Sequence, residues 1–219
     1  MKRRILLLII ISSSVLLQAQ DNTEWYLYTF GKICSLSIPS SMECRDTTSY
    51  TGEFINNGIK QRIISFGLDL PDQRIVFQPK GLNSSDPEVA QAANSKYSRI
   101  IIELLSGEGI SQSDVNALSL SDMEEVNDVF YNNYKSDLQR MGKDVSKFVW
   151  YPIEKVKYSE RNALVLHFLR PGLQGAVNVR EYRFFFGERQ MRIVVSYREE
   201  EKHLWESDFT KVINTLKFR

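Results

Sequence analysis

Four segments follow one another between residues 148 and 198: FVWYPIEKV (148–156), NALVLHFLR (162–170), VREYRFFF (179–186) and MRIVVSYR (191–198). The first, third and fourth are rich in β-branched and aromatic residues, which favour strands, and the second is dominated by leucine. The joins, at 159–161, 171–175 and 187–190, are far too short for the crossover that a parallel pair requires. The four segments must therefore pair antiparallel as a meander. Along 162–170 both registers are apolar, with Val165 and Leu169 against Leu164, Leu166 and Phe168. A strand apolar on both sides needs cover on both faces of its sheet.

The rest of the chain offers that cover. A closing helix begins near Glu199, Glu200 and Glu201, whose acidic side chains suit its positive end, and aligns Trp205, Phe209, Val212, Ile213 and Leu216 on one face. A longer helix is predicted from Ser121, with Ser121 and Glu124 as a capping box and Gly142 as its stop. Met123, Val126, Phe130, Tyr134, Leu138 and Met141 form its apolar stripe, while Asn127, Asp128, Asn132 and Asn133 face away. Upstream, strands are expected over 25–30, 32–38, 60–68 and 73–78, the last two flanking the turn Asp69-Leu70-Pro71-Asp72. A short helix over 86–94 takes Ser85 as its cap and Pro87 as its first residue, and a buried strand over 97–105 ends at Gly107 and Gly109. The fold class is α+β, an antiparallel sheet with helices on both faces, in one domain over 21–219.

An early strand running into "SIPSSMECRD", central strands, a middle helix, a four-strand meander and the closing "SYREEEKHLWESDFTKVINTLKF" resemble the PsbP-like fold. That fold occurs in the photosystem II extrinsic protein, in a Ran-binding nuclear-transport factor and in DcrB-type bacterial periplasmic proteins. The resemblance spans most of the chain and implies an α/β/α sandwich with an accessory or binding role. The chain departs from the DcrB type in having no cysteine for lipid attachment at its expected cleavage point.

Residues 1–20 read as a secretory signal peptide: basic Lys2, Arg3 and Arg4, an apolar run over 5–17 broken only by Ser12, Ser13 and Ser14, and a small residue, Ala19, before a polar start. Cleavage is expected after Ala19 or Gln20, leaving a soluble periplasmic or extracellular protein with no membrane-crossing segment. The whole chain has 28 Lys and Arg against 27 Asp and Glu, and loss of the leader tips the balance slightly negative. Without a strong positive field, nucleic acid and membrane surfaces are poor candidate partners.

The only two cysteines, Cys34 and Cys44, admit a metal half-site, a nucleophile with its resolving partner, two structural thiols or a disulfide. Export and a turn at Pro39, Ser40 and Ser41 favour the disulfide. A nucleophile would need a neighbouring base, and the chain holds only His167 and His203; a zinc site would need about four ligands.

Other candidates for chemistry are sparse. His167 lies inside an apolar strand and reads as a half-buried imidazole bonded to a neighbour; His203 lies among charges. Glu124 and Asp128, four apart, could act as an acid/base pair but read as a solvated helix face. Arg180, Arg183, Arg189, Arg192 and Arg198 could hold an anion, although Glu181, Glu188, Glu199 and Glu200 interleave with them and favour ion pairing. Asn83-Ser84-Ser85 matches the glycan acceptor pattern, and Gly172 with Gly175 marks a turn without phosphate-loop spacing. No cofactor or metal is implied. The expected function is a non-enzymatic envelope protein that contacts another envelope protein or a small ligand through an edge or loop, such as 80–84 or 170–174. The alternative is a hydrolase built from scattered carboxylates and His167.

Overall fold

Period-two patterning builds about half of the described residues into strands, and the computed structural model describes residues 24–45, 50–56, 59–66 and 73–219. The expected leader over 1–20 and the turn Asp69-Leu70-Pro71-Asp72 lie outside the described residues. The first strands are β1 (Trp25–Phe30), β2 (Cys34–Pro39), β3 (Met42–Cys44), β4 (Tyr50–Asn56), β5 (Ile59–Phe66) and β6 (Gln73–Pro79). Helix α1 (Pro87–Asn94), strand β7 (Ser98–Ile110) and helices α2 (Gln112–Ala117) and α3 (Leu120–Arg140) follow. The meander is β8 (Val149–Tyr158), β9 (Arg161–Gly172), β10 (Gly175–Phe185) and β11 (Gly187–Arg198), before α4 (Lys202–Asn214) and the short β12 (Lys217–Phe218).

The large sheet has seven strands in the order β3-β6-β7-β11-β10-β9-β8, all paired antiparallel. All four predicted meander strands are present in the predicted order. At its centre β11 pairs with the distant β7, Ile193 opposite Ile102. On the edge strand β8 the register shifts between Tyr151 and Glu154, around Pro152, whose missing N–H suits an edge.

A second sheet was not expected. Its order is β12-β2-β1-β5-β4, with β1 parallel to β5. It separates β5 from β6, which were expected to flank one turn and instead belong to different sheets.

Alternation sorts the large sheet into two faces. Ile100, Ile102, Leu104, Met191, Ile193 and Val195 pack with Phe30, Leu36 and Ile38 of the small sheet and with Trp205, Phe209, Val212, Ile213 and Leu216 of the closing helix. The opposite registers, Leu164, Leu166 and Phe168 of β9 and Val177 and Val179 of β10, meet Met123, Val126, Phe130 and Tyr134 of α3.

The helix starts shift from the expected caps. Ser119 and Asp122 form the capping box of α3, in place of Ser121 and Glu124, and Asp86 caps α1, in place of Ser85. A second capping box, Ser111 with Asp114, starts the unpredicted α2. Asn127 does not face away from the sheet: its Oδ1 accepts from Trp150 Nε1 at 2.9 Å and from the Ile153 amide at 3.2 Å. Strand β7 runs past Gly107 to Ile110. A Cβ on Gly107 would lie 2.3 Å from the Gly187 carbonyl oxygen, so only glycine lets β7 approach β11 there.

Cys34 and Cys44, expected to form a disulfide, are not bonded to each other. The chain turns after Pro39, but β2 and β3 belong to different sheets, so the two residues are not cross-strand partners. Cys34 sits opposite Phe30 and Phe218, and its Sγ donates to Met191 Sδ at 3.5 Å. Cys44 sits opposite Phe77. Burial, against a smaller effect of Arg219, pushes the Cys34 thiol up to about 12.

Candidate functional site

The face of the large sheet under α3 carries a network of charge, where the opposite face carries chiefly a hydrophobic core and the Arg180–Glu206 pair. Glu103 of β7, Arg192 of β11 and Glu181 and Arg183 of β10 project into this layer, and Arg74 of β6 joins them from the side. Glu181 is only 2% exposed; it accepts from Arg183 Nε at 2.6 Å and from the Tyr134 hydroxyl of α3 at 2.5 Å. Arg192 lies between the two carboxylates, with Nε donating to Glu103 Oε2 at 2.7 Å and Nη1 3.8 Å from Glu181. Arg74 Nε lies 3.2 Å from Glu103, and the Arg183 guanidinium stacks over Phe130, 4.5 Å from the ring centre. Burial opposes the charge on Arg192, but Glu181 and Glu103 outweigh it and hold the guanidinium more firmly protonated. Burial and the Glu181 carboxylate push the Tyr134 phenol well above its ordinary range. Every charge in this network has an opposite partner, so it clamps α3 to the sheet. A cleft of about 280 Å³ opens beside it.

Next to that cleft, sharing Tyr97 and Arg170 with it, lies a larger one of about 460 Å³. Lys96 and Tyr97 come from the segment leading into β7, Arg99 from β7 itself, Lys143 from beyond α3, Arg170 from β9 and Arg198 from the end of β11. The β9–β10 turn roofs it. A Cβ on Gly172 would stand 2.7 Å from the Gly175 carbonyl oxygen, and Gly175 has φ +102°, so both glycines permit this tight turn. Between them Leu173 is 97% exposed and Gln174 Oε1 accepts from Arg198 Nη2 at 2.6 Å.

Of the cleft cations, Arg198 is neutralised: its Nη1 lies 2.7 Å from Glu201. Arg170 Nη2 donates to the Tyr97 hydroxyl at 3.1 Å, and Arg99 Nη1 donates to the Ser98 carbonyl at 2.7 Å. Neither of these, nor Lys96 or Lys143, forms an ion pair among the described residues. Burial and the nearby Arg45 lower the pKa of Arg99, partly countered by Tyr97. Among the described residues the lining contains no carboxylate.

The expected site residues are scattered. His167 stacks on Tyr151, ring centres 4.2 Å apart, and its Nε2 lies 3.2 Å from Asn178 Oδ1, which matches the half-buried imidazole expected. Burial and Arg180 lower its pKa. His203, Glu124 and Asp128 are exposed on helix surfaces. The interleaved arginines are largely ion-paired as expected: Arg180 to Glu206, Arg183 to Glu181, Arg192 to Glu103 and Arg198 to Glu201. Asn83 is held at both ends of its amide, Nδ2 donating to the Cys44 carbonyl and Oδ1 accepting from Gln78. Glu43 fixes the same loop by accepting from the Gly81 and Asn83 amides. Among the described residues no group of three or more His, Cys, Asp and Glu is placed to hold a metal ion, and no helix is long and apolar enough to cross a membrane.

No protein-family model and no curated protein sequence matches the chain. Among solved structures it is similar to cyanobacterial PsbP (CyanoP) from Synechocystis sp. PCC 6803, at 10% identity and TM-score 0.49, over 85% of this chain and 86% of that one. It is also similar to LpqN, involved in cell envelope biogenesis of Mycobacterium tuberculosis, at 9% identity and TM-score 0.44, over 90% of this chain and 92% of that one. A protein of unknown function from Pseudomonas aeruginosa aligns at 9% identity and TM-score 0.41, over 78% and 98%. These likenesses are of chain path and carry no functional argument.

Sequence reasoning missed Lys96, Arg99, Lys143 and Arg170 as a group because they lie on three segments far apart in the chain. The signal that was available was the 170–174 turn, singled out as a contact surface and found roofing the cleft.

Proposed function

We propose that this is an exported, non-enzymatic binding protein of the cell envelope, acting through the surface around the β9–β10 turn. The observation that supports it is the cleft beneath that turn, where cations with no ion pair among the described residues line a hollow to which no described carboxylate contributes. Unsatisfied charge with an open approach suits recognition. Acid/base chemistry would call for a proton-transfer group there, and His167 is stacked elsewhere. Export rests on the basic head, apolar run and small residue over 1–20.

Leu82→Asp and Leu173→Asp, at the rim of the cleft, should weaken recovery of a partner from envelope extract without changing the melting temperature. Alanine at His167, Glu124 or Asp128 should leave recovery intact. If the rim variants recover partner as well as the parent, or if one polar substitution abolishes turnover of a substrate at unchanged stability, the reading fails. Export is checked by the intact mass of protein from its native host, expected to begin at Gln20 or Asp21.

A further inference from the structure

We infer that the cleft beneath the β9–β10 turn binds a phosphate ester, with Lys96, Arg99, Lys143 and Arg170 as its cationic contacts. The inference rests on the contact reading above and names the chemistry that the surface recognises.

The contrast within the molecule carries it. Arg74, Arg180, Arg183 and Arg192 lie elsewhere on the large sheet, and each has a carboxylate within ion-pair distance. The four cleft cations have none among the described residues, although they share one hollow. Arg99 is half-buried, and Arg45, of the same sign, is near enough to lower its pKa. A partly desolvated cation without a carboxylate partner is stabilised when an anion enters from outside.

Size and shape narrow that anion. About 460 Å³ falls in the range of small-molecule sites, roughly 300 to 1,000 Å³. Several converging cations favour a ligand with more than one negative charge. A phosphate monoester carries about −1.5 to −2 near neutral pH, and its oxygens match the planar forks of two arginines. The walls also contain Leu82, Leu173 and Val177, which suit the carbon part of an ester better than a bare ion. Soluble metabolites and lipid headgroups both present such an ester; the phosphate chemistry is shared.

Calorimetric titration of the full chain at low salt provides the test, with glycerol phosphate as the soluble probe. Sedimentation with vesicles of phosphatidic acid in phosphatidylcholine, against phosphatidylcholine alone, provides the lipid probe. Saturable binding of either probe is expected, lost at high salt. Lys96→Glu with Lys143→Glu should weaken it by about tenfold or more, since two attractive charges become repulsive. Lys157→Glu, an exposed lysine on β8, should leave it unchanged, and circular dichroism confirms that the variants are folded. Binding of glycerol phosphate assigns a soluble ester; binding of phosphatidic acid vesicles alone assigns a headgroup. Absence of binding to both at millimolar phosphate overturns the inference, as does an equal loss in the Lys157 variant. If the rim variants still lose their partner in that case, the ligand class is wrong and the contact reading stands.

Discussion

Glu181 shows what a charge costs when its neighbours are chosen for it. It is almost wholly enclosed, yet Arg183, Arg192 and Tyr134 each address its carboxylate. Replacing it by Ala leaves two guanidinium groups short of a partner. Removing one side of a buried pair costs about 3 to 5 kcal/mol; because Arg192 keeps Glu103, the loss should fall near the lower end, read as a reduced urea midpoint. A change under half a kcal/mol would mean that the network is solvated. His167 behaves in the opposite sense. Its folded pKa lies below the ordinary value of about 6.5, through burial first and Arg180 second. The unfolded chain therefore binds the proton more readily, so this residue's contribution is complete above that ordinary value and declines as pH falls through it toward the folded value. Melting temperature should drop over this window in the parent and drop less in His167→Gln; parallel curves would overturn the assignment. The half-buried imidazole was readable from its apolar strand. Its Asn178 partner was not, because strand register across a hairpin is invisible to local pattern.

The closing helix is the element whose role the sequence states most openly. Trp205, Phe209, Val212, Ile213 and Leu216 recur at helical spacing and are all buried in the core between the sheets. Trp205 adds a polar anchor, its Nε1 donating to Glu201 Oε2 at 3.1 Å, and the same oxygen accepts from the Tyr97 amide at 2.9 Å. Trp205→Ala should cost about 3 to 5 kcal/mol, measured by equilibrium denaturation, and a melting temperature within a degree or two of the parent would show the helix to be loosely docked. Helix α3 was harder to read. Its apolar stripe was found, but Asn127 is an anchor to β8 and Met141, placed on the stripe, is 62% exposed. Its start was misplaced by two residues because Ser119-x-x-Asp122 and Ser121-x-x-Glu124 compete for the same role, and only the direction of the preceding chain decides between them.

The large sheet was half readable. Its meander is written in adjacent segments, whereas the pairing of β7 with β11 and the division of the early strands into a second sheet depend on contacts between distant parts of the chain. That central pairing also sets a schedule. During synthesis, Ile102 emerges long before Ile193, and at roughly 5 to 20 residues per second the wait is on the order of ten seconds. Throughout it, one long side of β7 has no strand to lie against, and an apolar strand left open invites association with other chains. The hairpins of β8 to β11 close over short loops and can form as soon as they are made; β7 can only join afterwards, at a higher entropic cost of loop closure. In refolding followed by pulsed hydrogen exchange, amides pairing β9 with β10 should gain protection before those of Ile101 and Glu103, the β7 residues whose register turns them toward β11. Simultaneous or reversed protection would refute this order. A strand interior to the finished sheet is thus among the last to be secured, and a helper that shields it during the wait would have more effect on yield than any change to the finished fold.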